Sequence, residues 1–385
     1  MNNQNLINYQ NILEEATVIS GLDDFGDLAH MQGLQELCWS LNHEANLNDI
    51  GRMAQVSRIT GILLNRLRLE EDFKNYPIDQ EKIKAPIVIV GLPRTGSTMI
   101  HRLLASDPQH TAMVWWEGRN PARLSDEERG NPQGRISMGK KEVESMIQAS
   151  PDLMKIHPMD AMAVDEEILL IEHSFYSTVP ESFMNLPSYS EWIESQDHTT
   201  AYLYLKRMLQ YLQWQASERR EKSWVLKTPH HMGFVDIILK VFPKAKIIQT
   251  HRNPLETIPS YCSMVSTLAE PLSNKSFAKI LGKHWEEKLA RALKHCMNIS
   301  DNYPDQFLDL NYRDLLLKPI EEMQEIYKFL DKPYTPEAEK EMLLWRKENN
   351  QNKHGSHRYN IEDFGINDAK VLKDFDEYIC KYNLT

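Results

Sequence analysis

Cysteine is scarce in this chain of 385 residues: Cys38, Cys262, Cys296 and Cys380 are scattered, with no pairing and no C-x-x-C spacing. That pattern argues against a disulfide framework and a structural zinc site, and points to a reducing compartment, the cytoplasm. A basic excess is also missing. Lys and Arg total 44 against 55 Asp and Glu, a net charge of -11, whereas a nucleic-acid surface needs positive charge in surplus. No apolar run approaches the length that spans a bilayer, and the first residues have neither the basic nor the apolar region of a signal peptide. Internal repeats and low-complexity tracts are absent as well. There is room for one large α/β domain with an appendage, or for two domains, and any basic site must be local.

Against this background one stretch stands out. Ile87 to Val90 are four β-branched apolar residues; Gly91-Leu-Pro-Arg-Thr-Gly96-Ser-Thr98 follows, then Met99, Ile100, Leu103 and Leu104 at helical spacing. A continuous apolar run reads as a parallel strand covered on both faces. The glycines let the chain turn with its N–H groups inward, and the next helix adds free amides and the positive end of its dipole. An anion belongs there. The spacing is that of a phosphate loop with one departure: Ser97 stands where nucleoside triphosphatases carry lysine, and the strong cation of the loop is Arg94. With no aspartate convincingly placed for magnesium, a metal-free phosphoanhydride of lower charge fits better than a metal-bound triphosphate.

The segment before the loop, 1–84, reads as an N-terminal helical region, with Leu34, Leu37 and Leu41, then Ile59, Ile62, Leu63 and Leu67, at steps of three and four. Residues 85–385 are expected to form the α/β domain with its tail. Thr111 to Trp116 reads as a strand or an extended wall, 118–139 as a surface loop and 140–149 as a helix. Asp165, Glu166 and Glu167 are expected to open another helix, where the dipole favours acids. After a helix at 199–216, Trp224 to Lys227 is a strand, followed by Thr228-Pro-His-His231 and an amphipathic helix to Phe242. Residues 245–252 form a strand, and Asn253 and Pro254 cap and open the next helix. A helix at 276–300, a last strand at 306–312 and a helix at 319–330 complete the pattern. Such alternation predicts a P-loop-type parallel sheet flanked by helices, doubly wound. Ligands of such sheets collect at the carboxyl ends of the strands, which brings Arg94, Lys227, His230 and Arg252 to one rim. The tail adds Lys353-His-Gly-Ser-His-Arg358, a basic loop suited to closing over an anion.

Gly91 to Thr98, Lys227-Thr-Pro-His-His231 and Thr250-His-Arg-Asn-Pro254 with Ser260 together resemble the PAPS-dependent sulfotransferases, nearer to their bacterial small-molecule or lipid-type branch than to the animal cytosolic enzymes. The likeness covers residues 85–330. It implies that Arg94, Thr95, Gly96, Ser97 and Thr98 cradle the 5′-phosphosulfate of PAPS. It implies further that Arg252 and Ser260, aided by Lys353 and Arg358, hold the 3′-phosphate. The sulfuryl group would pass to a hydroxyl or amine of a small or lipid-like acceptor, releasing PAP, with no metal. Arg94 would neutralise charge on the leaving phosphate, with Lys227 as a second cation.

Two placements of the general base stay open. Glu117, a short way past the loop, is put first, and pairing with Arg119 or Arg123 is its structural alternative. The other is His230, or less well His231, where Pro229 interrupts the Lys-Thr-His pattern. His157 and the acids 165–167 rank lower, as acceptor positioners, and Tyr312-Arg-Asp-Leu315 resembles a stretch that is mostly structural in the family. A magnesium-dependent kinase of the same superfamily and a non-catalytic nucleotide binder are the competing readings. Trp115, Trp116, Phe175, Tyr176, Phe183 and Trp192 point to an apolar acceptor or to core. Homo-oligomerisation is left open, with no dimer signature in the sequence.

Overall fold

The computed structural model of the protein describes residues 6–151, 153–349 and 360–384. The basic tail with Lys353 and Arg358 lies outside the described residues. Five strands, β1 Ile87–Gly91, β2 His110–Thr111, β3 Ser223–Lys227, β4 Lys246–His251 and β5 Phe307–Asn311, form one parallel sheet in the order β2-β3-β1-β4-β5. The β1 strand is central, and the register sets Ile89 beside Lys227 and Gly91 beside Thr250. The carboxyl ends of β1, β3 and β4 therefore share one rim, at the point where the strand order changes direction.

Side chains alternate between the two faces, as strand geometry requires. Ile87, Ile89, Val225, Ile248 and Leu310 enter one core with Leu103, Leu104 and Ile326. Val88, Val90, Leu226 and Ile247 enter the other with Leu205, Met208 and Ile258. Every residue of β1 and β3 is buried, and each large apolar side chain so placed contributes about 1.5–3 kcal/mol.

Three N-terminal helices, α1 Tyr9–Ser20, α2 Ala29–His43 and α3 Asp49–Asn75, build a further core with Phe175, Tyr189 and Ile193. The last of them also reaches into the main core through Leu69. Arg58 pairs with Glu172 at 2.6 Å, and Tyr211 donates to Asp72 at 2.5 Å. Among the described residues, no helix is long and apolar enough to cross a membrane.

Three expectations differ from what is observed. Of Thr111–Trp116, expected as a strand or an extended wall, only Thr111 is in a strand, with His110; Trp115 and Trp116 open a short helix and donate their N–H groups to Ala163 and Ala161. The helix expected from Lys140 begins at Gln133. Gly139 lies inside it as a close-approach residue, since a Cβ there would stand 2.6 Å from that of Trp116. The acids 165–167 precede only a four-residue helix, Ile168–Ile171.

Candidate active site

The loop between β1 and the next helix, α4 Ser97–Ser106, is pressed onto β4. Gly91 has φ +147°, and a Cβ on it would meet Thr250 Oγ1 at 2.4 Å. Thr95 is fully buried as a brace: its hydroxyl donates to the Leu92 carbonyl at 2.7 Å and meets Thr250 Oγ1 at 2.6 Å. Arg94 and Gly96 both have positive φ, +70° and +84°. A side chain at Gly96 would stand 3.0 Å from Tyr312 Cδ2. Backbone strain of this kind at a non-glycine residue gathers where function demands it. No side chain caps α4, so its amino end faces the loop.

At the end of β4, Asn253 accepts from Leu255 N–H at 2.9 Å and Pro254 opens the helix Pro254–Ala269, as expected from their sequence order. Arg252 Nη1 donates to the Arg94 carbonyl at 2.9 Å, while Arg94 Nε donates to Ser260 Oγ at 3.2 Å. The two sets of residues expected to hold anions thus touch. Arg252 also pairs with Glu256 at 2.6 Å and lies 4.2 Å from the ring centre of Tyr312.

Its turn is held from behind by the C-terminal segment. Arg252 N–H donates to Tyr378 Oη at 3.3 Å, His251 stacks on Tyr382 at 3.7 Å, and Asn253 donates to the Leu384 carbonyl at 2.9 Å. Nothing in the sequence signals this contact, which joins residues more than a hundred positions apart.

At the end of β3, Lys227 Nζ donates to Thr98 Oγ1 at 3.1 Å and to Glu166. Its N–H donates to Glu167 at 2.7 Å. The other oxygen of Glu167 meets His231 Nε2, and Tyr202 Oη meets His231 Nδ1 at 2.7 Å. Glu167 therefore does not cap a helix with its side chain: it ties the end of β3 to His231. Buried carboxylates seek charged or N–H partners before a weak dipole, and here those partners come from 60 residues on.

His230 faces the cavity, while His231 is fully buried behind it. Burial, with His198, His231 and Lys288 nearby, holds the His230 imidazole well below its ordinary range, so it is neutral. Its Nδ1 meets Thr178 Oγ1 at 3.3 Å, and its buried Nε2 has no hydrogen-bond partner among the described residues. His157 also lines the cavity. Burial lowers its pKa, and Asp165 and Glu166 oppose the shift.

The cavity holds about 400 Å³. Its polar lining includes Arg94, Ser97, Thr98, Lys227, Arg252 and Tyr312, with Arg58, Arg119, Glu142, Asp165 and Glu166 elsewhere on the wall; its apolar part includes Trp115, Met146, Met159, Ile168, Leu169, Val179, Phe183 and Met264. The other aromatics noted in the sequence sit in packed cores, as Phe175 and Tyr176 do.

Glu117 is not brought to this cavity. Its carboxylate pairs with Arg219 at 2.8 Å and accepts from Val114 N–H at 3.1 Å. Neither expected partner holds it, because Arg119 pairs with Glu142 and Glu172, and Arg123 with Asp72. The short helix Trp115–Arg119 is the reason: at a helical turn per 3.6 residues, its phase aims Trp115 at the cavity and Glu117 back into the protein. Tyr312 packs under the Arg252 guanidinium and lines the cavity.

Chemically, Arg94, Lys227 and Arg252 line a cavity of mixed polar and apolar wall with a neutral imidazole among its residues, an arrangement suited to an anion and a proton-bearing, partly apolar partner. Comparison with known proteins agrees. Residues 86–336 match the Sulfotransferase family model. The omega-hydroxy-beta-dihydromenaquinone-9 sulfotransferase Stf3 of Mycobacterium bovis and of Mycobacterium tuberculosis is 29% identical over 255 residues, 64% of this chain. That match spans 62% of the length of these relatives, less than two thirds. Sulfotransferase STF1 from Mycobacterium tuberculosis H37Rv superposes with a TM-score of 0.84 at 28% identity, over 97% of this chain and 100% of that one. Sulfotransferase STF9 from Mycobacterium avium shares the fold, with a TM-score of 0.87 at 23% identity, over 100% of this chain and 98% of that one. With the family model covering well over half of its length, the chain belongs to the sulfotransferase family.

Proposed function

We propose that the protein transfers the sulfuryl group of PAPS to a hydroxyl or amine on a small or lipid-like acceptor, releasing PAP. The observation that carries this reading is the contact of Arg252 and Ser260 with Arg94, which makes one continuous surface for a nucleoside bearing an anion at each end. The residues fit such a ligand: the cradle at Gly96 leaves no room for a side chain, and Arg94, Gly96, Ser97, Thr98 and Arg252 all line the cavity. PAPS, when bound, supplies an activated sulfuryl group on a phosphate leaving group.

The chain's own residues do the rest. Arg94 and Lys227 offset the negative charge that builds as the bond breaks, and electrostatic stabilisation of this kind commonly lowers a barrier more than any other single effect. Thr98 and Glu166 orient Lys227, and Thr95 braces the loop. Neutral His230, which lines the cavity, takes the acceptor's proton. The apolar part of the wall suits a lipid-like acceptor; the name of the Stf3 relative, whose acceptor is a menaquinone derivative, supports that class. The cytoplasm is the proposed compartment, on the strength of four cysteines without disulfides.

Calorimetric titration tests the reading. PAP should bind tightly without metal, and ATP with magnesium weakly; the reverse order favours a kinase. Arg252→Ala should weaken PAP about 10–100-fold, the worth of hydrogen bonds to a charged group, and spare the same nucleotide lacking its 3′-phosphate. Equal loss for both nucleotides would contradict the assignment.

A further inference from the structure

Tyr312 owes its place to the sheet. The register pairs His251 of β4 with Asn311 of β5, so the next residue of each strand, Arg252 and Tyr312, leaves the sheet beside the other at the rim. Asn311 accepts from the Arg313 N–H at 2.9 Å and starts a short helix, Tyr312–Leu317. Leu315 of that helix is buried in the core with Leu310 and Met323. This anchor fixes the turn, and with it the tyrosine.

The ring touches both anion-holding parts of the site. Its Cδ2 and Cε2 stand 3.0 and 3.2 Å from the place of a Cβ on Gly96, the positive-φ glycine of the phosphate loop. Arg252 Cζ lies over the ring, 4.2 Å from its centre, near enough for a cation–π attraction. The edges of the same guanidinium are held by other groups: Nε and Nη2 donate to Glu256 Oε2 at 3.0 and 2.6 Å, and Nη1 donates to the Arg94 carbonyl at 2.9 Å. A guanidinium carries its N–H donors in one rigid plane. Whatever fixes that plane fixes where an anion can sit, and a ring beneath its face does so. The contacts are made by ring carbons, not by the hydroxyl.

We propose that Tyr312 is a positioning residue for the donor nucleotide: its ring sets the Arg252 guanidinium against the Gly96 turn, so that the two anion-holding parts keep the spacing of one nucleotide. The proposal rests on the donor reading given above. It adds that selectivity for the 3′-phosphate depends on an uncharged ring beneath the arginine.

Calorimetric titration of PAP and AMP into the full-length protein and its variants tests this. Tyr312→Leu and Tyr312→Met, which keep an apolar side chain and lose the ring, should each lower the preference for PAP over AMP about 3–10-fold, the worth of a partly buried cation–π contact. AMP binding retained is the check on folding. Tyr312→Phe should keep the native preference. Added to Arg252→Ala, Tyr312→Leu should lower the preference no further, as expected of a ring that acts through the guanidinium. A preference unchanged in both Tyr312→Leu and Tyr312→Met, or lowered as much by Tyr312→Phe, overturns the proposal and leaves the donor reading standing. So does an undiminished effect of Tyr312→Leu in the Arg252→Ala background. A native protein that binds PAP no tighter than AMP removes both.

Discussion

At the scale of single residues, the direction of a side chain decides its role. Glu117 and His230 are comparable candidates for proton transfer by chain position alone. In the folded protein Glu117 is tied to Arg219 and Val114, whereas His230 lines the cavity. The two substitutions should therefore separate. His230→Gln is expected to lower kcat by about 10²–10⁴, the usual worth of a general base, with PAP affinity unchanged. Glu117→Gln leaves Arg219 without its charge partner and is expected to cost stability, on the order of 3 kcal/mol, while each folded molecule still turns over. Kinetics and urea unfolding on both variants check this, and a large loss of kcat in folded Glu117→Gln would return that residue to the chemistry.

Elements bring such residues to the rim, and here sequence order and structure agree unevenly. The strand-loop-helix from Ile87 to Ser106 was legible because it is local: an apolar run, glycines at turns, then helical spacing. The Asn253-Pro254 helix start was legible for the same reason. What was not legible was Glu167 crossing to Lys227 and His231, or the C-terminal helix Asp376–Tyr382 holding the turn after β4. Those contacts depend on packing between elements far apart in the chain, for which no short pattern exists. The second of them yields a prediction. Tyr378→Phe removes the acceptor of the Arg252 N–H and the partner of His251 Nδ1 while keeping the buried ring. PAP affinity should fall about 3–10-fold, the range for one neutral hydrogen bond, as read by calorimetry. Unchanged affinity would mean that the helix only fills space.

Across the whole molecule, several histidines are buried neutral. Burial holds His30, His110, His173 and His198 at about 4. In the unfolded chain each takes a proton near 6.5, so between pH 6.5 and 4 the unfolded state binds protons that the folded state refuses. Stability must fall as pH falls through that window, by up to about 1.4 kcal/mol per pH unit for each histidine. Carboxylates add to the loss only later: Lys288 and His284 hold Glu181 at about 2, so its contribution fades below about 4.5, where a free glutamate begins to protonate. The urea midpoint should thus decline already between pH 6.5 and 5. A flat profile there would contradict the burial of these rings in solution. His30 and His173 belong to the packing of the N-terminal helices on the rest of the chain, through the Phe175 ring and Asn65, so that junction is expected to loosen early.

The amino-acid order alone determined the phosphate loop, the parallel sheet around it and the ring of Arg94, Lys227 and Arg252, because each is written in consecutive residues and in the periodicity of buried strands. Which carboxylate or imidazole reaches the cavity was decided only by tertiary structure. Helix phase turned Glu117 inward, Glu167 was claimed by partners 60 or more positions away, and His230 was left on the cavity wall. Side-chain direction depends on what packs behind it, and that is a property of the assembled fold.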